Sequence, residues 1–438
     1  MRTVPSATIL MDTFFTPLPL SPFPHCAQRC CERVGGKGME SYILGQLDTG
    51  FTVSLDQEGR LRHIYIVGGT GSGKTALMKN LAMFDIENGG GCSVFDPHGD
   101  FVDDLANSIP KNRARDVIYF DPLGSHVISY NPLKQVPPLE RGRLAEEIAA
   151  TFRNIFADTW GQSRLQYIFT NTIRLLLDNP HTTLVDMPRL LSDKKFRMQL
   201  LKHCSDEHVN RFWLDEFDAM PDKLQKEAIS PIQNKVGQFV TSPILRDVIG
   251  RPSTIDISRI MDERKIMLWN LSKAKMSPTA SRIFGSALIT GYEQAAQARA
   301  TIPARNRVPH YLYIDEFQNF TNDSFNTILS ESRKYALGLI VAHQYIHQIG
   351  DVLPAVLGNA GTTVVFRIGA LDTKILSEHL GLPPHILPFM PNYHAWVKTL
   401  QDGSPTAYQV HTLPPPGATG SFDAVVRRSK AGYARPRG

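Results

Sequence analysis

The eight residues Gly68-Gly69-Thr70-Gly71-Ser72-Gly73-Lys74-Thr75 constrain this chain more than any other stretch. They fit the pattern G-x-x-x-x-G-K-[ST], and the flanks suit it. His63 to Val67 is a short apolar run of the kind that forms a buried parallel strand. Beyond the glycines, Leu77, Leu81 and Phe84 mark one face of a helix, which Asn88-Gly89-Gly90-Gly91 stops. Glycines let a backbone wrap closely around phosphate oxygens with its N–H groups turned inward. The helix N-terminus adds partial positive charge. In such a loop Lys74 neutralises the β- and γ-phosphates and the Thr75 hydroxyl ligates Mg²⁺. Residues 68–75 are therefore expected to bind ATP with Mg²⁺. Dinucleotide binding is disfavoured, because a Lys-Thr pair has no role there.

A phosphate loop needs an acidic partner for the metal. Tyr311-Leu312-Tyr313-Ile314-Asp315-Glu316 supplies an apolar strand ending in two acids. Asp315 is expected to hold Mg²⁺ through its water shell, and Glu316 to act as general base on the attacking water. An acid directly after the aspartate points to hydrolysis by a mechanical ATPase rather than to a GTPase switch or a small-molecule kinase. The next strand ends at His343-Gln344. Gln344 is placed to sense the γ-phosphate and orient water, whereas His343 reads as structural. Arg333 and Lys334 lie between these strands. A cation at a subunit edge can enter a neighbour's site, an effect worth ~10³–10⁵ in rate in known cases. Arg62, just before the first strand, is a second candidate cation for the phosphates.

The surrounding pattern is α/β. Cys92 to Phe95 and Val117 to Phe120 are further strands, and strand–helix–strand alternation argues for a doubly wound sheet. From about Leu139 to Val240 the spacing turns helical, as in Leu144, Ile148, Phe152 and Ile155. Pro180, Pro188, Pro221 and Pro231 fall near expected helix boundaries. Strands then resume at Ile266 to Trp269, Tyr311 to Ile314, Leu339 to Ala342, Thr363 to Phe366 and Ala395 to Leu400. Helical spacing covers Phe284 to Ala300 and Ser324 to Ala336. The expected organisation is an irregular leader over 1–38, with Met39 as a plausible initiator, and a sheet domain in two parts, 39–138 and 251–412. An all-α domain is inserted at 139–250, and a basic disordered tail occupies 413–438.

Composition excludes several classes. Five cysteines in 438 residues are too few and too odd for a disulfide framework. Cys26, Cys30 and Cys31 have no second Cys/His pair nearby to complete a metal site. No stretch offers the roughly 20 apolar residues of a membrane span, and Asp12 spoils a signal peptide. A cytoplasmic protein is expected, either free or peripheral at the inner face of the membrane. The net charge of +5 sits in the tails: residues 39–412 carry 38 basic and 39 acidic groups. Overall charge therefore makes no case for nucleic acid.

Taken in order, several features resemble the FtsK/HerA group of ring ATPases, over about residues 41–400. They are Leu44-Gly45 with a short hairpin before Arg62, the phosphate loop, Asp96-Pro97-His98-Gly99-Asp100, Asp315-Glu316, and Arg333-Lys334-Tyr335 leading to His343-Gln344. Within the group the chain is most similar to the coupling ATPases of type IV secretion and conjugation. That resemblance implies a RecA-like nucleotide domain, an all-α domain and a hexameric ring with DNA in its channel. It implies ATP between subunits, Arg333 as arginine finger, Gln344 as glutamine sensor, and Arg62 approaching the phosphates. Secretion-machine or relaxase-type proteins would be its partners. Coupling proteins commonly carry N-terminal membrane helices, which this chain lacks. Two alternatives stay open: a HerA-like DNA-processing translocase, and a nucleotide-dependent adaptor that recruits protein substrates to a secretion machine. A transporter-type ATPase lacks its Leu-Ser-Gly-Gly-Gln signature here.

Overall fold

Short apolar runs become strands wherever both of their faces can be covered, and here most of them are. The computed structural model describes residues 41–133, 136–156, 163–401 and 403–437. The expected leader of residues 1–38, with Cys26, Cys30 and Cys31, lies outside the described residues. The strands are β1 (Tyr42–Gln46), β2 (Thr52–Leu55), β3 (Ile64–Val67), β4 (Gly91–Asp96), β5 (Val117–Phe120), β6 (His126–Val127), β7 (Ile266–Asn270), β8 (His310–Ile314), β9 (Leu337–His343), β10 (Thr362–Val365), β11 (His394–Gln401), β12 (Ser404–His411) and β13 (Arg435–Pro436).

Eleven of them form one sheet in the order β2-β1-β12-β11-β10-β3-β9-β8-β4-β7-β5. From β10 to β5 every neighbouring pair is parallel. In these seven strands every residue is buried, as a sheet covered on both faces requires. β11, β12, β1 and β2 extend the β10 edge as antiparallel ribbons.

Alternation along the strands divides the core. Ile64 and Ile66 of β3 pack with Leu77, Met78 and Leu81 of helix Lys74–Glu87 and with Phe101 and Leu105 of helix Asp100–Ser108. Tyr65 and Val67 face the other way. They join a core that includes Phe284 and Leu288 of helix Pro278–Ala298 and Phe325 of helix Asp323–Glu331. The helical insertion lies between β6 and β7, and its apolar residues Phe152, Phe169, Phe212 and Trp213 belong to this second core. Its elements include helices Pro138–Ile155, Ser163–Leu177, Asp222–Val240 and Pro243–Ile249.

Two expectations need correction. Pro231 lies inside helix Asp222–Val240 rather than at its boundary. Buried Ile229, Ile232 and Val236 carry the helix past it, and tertiary packing outweighs the loss of one backbone hydrogen bond. The segment from Leu413, expected to be disordered, also packs. It forms helix Phe422–Tyr433 and then β13, which pairs with β6. Val425 is buried in the first core, the Phe422 ring stands edge-on to Tyr119 at 5.7 Å, and the Tyr119 N–H donates to Ser429 Oγ at 2.7 Å. Spacing of 3, 4, 7 and 11 residues from Phe422 to Val425, Val426, Ser429 and Tyr433 puts the small and apolar groups on one face. Mean apolar content misses such a face.

Three histidines are buried within these layers. His63 Nδ1 accepts from the Leu339 N–H at 2.9 Å, His310 Nε2 lies 2.8 Å from Ser93 Oγ, and His343 Nε2 lies 2.6 Å from the Tyr65 hydroxyl. Burial pushes their pKa values down to about 4, about 3 and about 4 respectively. The unfolded chain takes up these protons near the ordinary value of about 6.5. Their contribution to stability is therefore complete above that pH and is lost as the pH falls toward 4. The midpoint of thermal unfolding should drop steeply from pH 6.5 to pH 4; a flat profile across that window would contradict neutral burial.

Candidate active site

The site forms at the C-terminal ends of β3, β9 and β8, where loops leave a parallel sheet on the same side. After Val67 the chain enters residues 68–73, and helix Lys74–Glu87 follows with no side-chain cap. Its first-turn N–H groups are left for a ligand. Neighbouring loops pin the turn. Gly69 N–H donates to the Arg367 carbonyl at 2.7 Å, and Tyr393 N–H donates to the Ser72 carbonyl at 2.7 Å. Ser72 Oγ donates to the Gly69 carbonyl at 2.7 Å. Gly73 has φ 123°, and a Cβ there would stand 3.0 Å from the Phe366 ring and 3.1 Å from that of Tyr393. Only glycine fits this position.

Lys74 is buried, and its Nζ donates to the Gly68 and Gly69 carbonyls at 2.6 and 3.2 Å. Burial lowers its pKa, while Asp315 and Glu316 push it back up. The lysine and the acid pair thus interact electrostatically, although they lie far apart in sequence.

Asp315 and Glu316 follow β8 directly. The Asp315 carboxyl is pushed up to about 6, first by burial and then by Glu316 and Asp96. Glu316 takes a left-handed backbone, φ 46° and ψ 51°, which is strained for a non-glycine residue. Both of its oxygens are held. Gln344 Nε2 donates to Oε1 at 2.8 Å, and Gln318 Nε2 donates to Oε2 at 2.7 Å. Gln344 also accepts from Thr70 Oγ1 at 3.2 Å. β9 lies between β3 and β8, so the residue just past its end bridges the phosphate loop and the acid pair. Sequence spacing does not mark Gln318, which depends on where the turn after β8 points, or the Thr70 contact, which depends on β9 lying beside β3.

Asp96 spends its carboxylate oxygens on the N–H groups of His98, Phe101 and Val102, and among the described residues no group of three or more His, Cys, Asp or Glu side chains could hold a metal ion by itself. Thr75 and Asp315 offer hard oxygen donors, and few protein ligands are what Mg²⁺ accepts when it keeps most of its water.

Arg62 and Arg333 are not part of this cluster. Arg62 precedes β3 whereas the loop follows it, and a four-residue strand separates the two by roughly 13 Å. Arg62 therefore lies at the opposite edge of the sheet from its own chain's phosphate loop. Arg333 sits in the turn Ser332–Tyr335 before β9, also at the opposite edge of the sheet. Both arginines donate to Glu58 Oε1, each at 2.8 Å.

A glycine-rich anion loop, an acid pair two strands away and a polar residue on the strand between them define a P-loop NTPase of the RecA-like class. Residues 42–290 match the family model "Helicase HerA, central domain", and the chain belongs to that family. No curated protein matches the sequence. Among solved structures it is similar to the plasmid coupling protein TrwB in complex with the GTP analogue GDPNP, with a TM-score of 0.61 and 13% identity, covering 88% of this chain and 98% of that one. TrwB in complex with ADP and Mg²⁺ gives a TM-score of 0.58 and 16% identity, over 88% and 98%. VirB4 of Thermoanaerobacter pseudethanolicus gives 0.56 and 13%, over 86% and 97%. At these identities the likeness is one of fold. No helix among the described residues is long and apolar enough to cross a membrane.

Proposed function

We propose that this chain is a Mg²⁺-dependent ATPase that assembles as a hexameric ring and moves DNA, in the manner of a conjugative coupling ATPase. The observation that carries the reading is the bridge Thr70–Gln344–Glu316, which ties a carboxylate to the phosphate loop through one glutamine. On binding, Lys74 would exchange the Gly68 and Gly69 carbonyls for β- and γ-phosphate oxygens. Glu316 would accept the proton of the attacking water, and Gln344 would orient that water and register the γ-phosphate. Thr75 and Asp315 would hold Mg²⁺, which would supply charge neutralisation at the β- and γ-phosphates. Arg333, at the far edge of the sheet, suits the nucleotide of a neighbouring subunit, and so does Arg62. The TrwB structures named above hold a GTP analogue and ADP with Mg²⁺; HerA family membership and the shared fold support ATP hydrolysis here.

A motor on DNA grips phosphates, so nucleic acid should stimulate its turnover and salt should weaken that effect steeply. ATP turnover is expected to rise severalfold on adding DNA at low salt and to fall back between about 50 and 200 mM salt. Equal rates with and without DNA would favour an adaptor that uses nucleotide only to assemble.

A further inference from the structure

Arg62 and Arg333 come from distant parts of the chain, yet both guanidinium groups converge on a single carboxylate oxygen, Glu58 Oε1. Two like charges at that spacing repel unless an anion lies between them. Arg62 first and Arg333 after it hold the Glu58 carboxyl below its ordinary range. The arrangement is anchored from beneath. Arg60, on the same short helix Gln57–Leu61, is buried, pairs with Asp85 at 2.6 Å and donates to the Tyr313 hydroxyl at 3.1 Å. The Arg62 carbonyl accepts from the Gly361 N–H at 2.7 Å. Beside the arginines opens a cleft of about 450 Å³ to which Arg62, Arg333 and Lys398 contribute, with no Asp or Glu among the described residues lining it. Three cations thus line one cleft, and the Glu58 carboxylate is clasped by two of them.

We propose that Glu58 is a built-in surrogate for phosphate. It keeps Arg62 and Arg333 paired in the lone subunit and is displaced when a neighbouring copy presents the terminal phosphate of its nucleotide. It thereby sets the threshold for assembly-dependent turnover. The inference rests on the reading above, in which Arg333 serves the neighbour. A displaceable clasp has to be weak, and this one is: Glu58 is 61% exposed, and exposed ion pairs shift equilibria by no more than about fivefold. A triphosphate carries more charge than one carboxylate and wins the exchange.

The test is Glu58→Gln, which keeps the side-chain shape and leaves in place both the Arg60 anchor and the helix N-cap Asp56, whose carboxylate accepts from the Gly59 N–H at 2.7 Å. DNA-free ATP turnover of the full chain at subsaturating ATP should rise about two- to fivefold. The gain should vanish in an Arg333→Ala background and shrink as salt screens the pair. Unchanged or lower turnover in Glu58→Gln, or an equal gain without Arg333, overturns the proposal. A parallel titration with DNA separates the other source of phosphate: tighter DNA binding with unchanged turnover assigns the cleft to the nucleic-acid backbone and also overturns it. Should Arg333→Ala alone turn over ATP like the unmodified chain, the failure belongs to the shared-site reading instead.

Discussion

Lys74→Ala should abolish ATP turnover, with a loss of at least 10²–10³-fold, the range seen when one preorganised charge-stabilising donor is removed. The geometry explains why the loss is so large. Lys74 Nζ is buried on the loop carbonyls of Gly68 and Gly69, and the charges of Asp315 and Glu316 act on it. Without it, the γ-phosphate would meet the acid pair Asp315 and Glu316 with one fewer positive charge. The fold should survive. Lys74 Nζ contacts only loop carbonyls, while Leu77, Met78 and Leu81 bury the helix independently. Phosphate release and circular dichroism on one preparation check both halves, and normal turnover in a folded variant would refute the site.

Glu316→Gln should have an effect of similar size for a different reason. Removing a general base costs about 10²–10⁴ in rate, but the glutamine leaves the phosphate loop untouched. Nucleotide affinity should therefore stay within a few-fold of that of the unmodified chain while turnover collapses. The side chain will not sit as the glutamate does. Glu316 accepts from Gln344 on one oxygen and from Gln318 on the other; a glutamine has one acceptor oxygen and one NH₂ donor, so one of the partner amides must flip or let go. Binding measured by fluorescence of a labelled nucleotide, beside single-turnover hydrolysis, separates the two effects. A parallel loss of affinity would mean that residue 316 holds the nucleotide rather than the water.

Much of this architecture can be read from the chain before any coordinates. The parallel strands announce themselves because burial on both faces demands unbroken apolar runs, as in Val117–Phe120 and Tyr311–Ile314. The phosphate loop is legible because its chemistry is local: eight consecutive residues provide the glycines, the lysine and the hydroxyl. The order β3-β9-β8 is not local, and no residue type records that Gln344 lies between Thr70 and Glu316. Strand β12 escapes periodicity because its exposure does not alternate cleanly. The C-terminal helix escapes because Val425, buried among basic neighbours, is diluted in a segment that averages as polar. The two arginines illustrate the same limit. Arg62 lies six residues before Gly68 in sequence but at the other end of β3 in space, so adjacency along the chain misleads where a strand intervenes.

The most direct measurement is a structure of the Glu316→Gln chain with ATP and Mg²⁺. The ammonium of Lys74 should have left the carbonyls of Gly68 and Gly69 for the terminal phosphate, with Gln344 within hydrogen-bond reach of that phosphate or of the water behind it. Nucleotide bound elsewhere, with Lys74 still on its loop carbonyls, would contradict hydrolysis at this site.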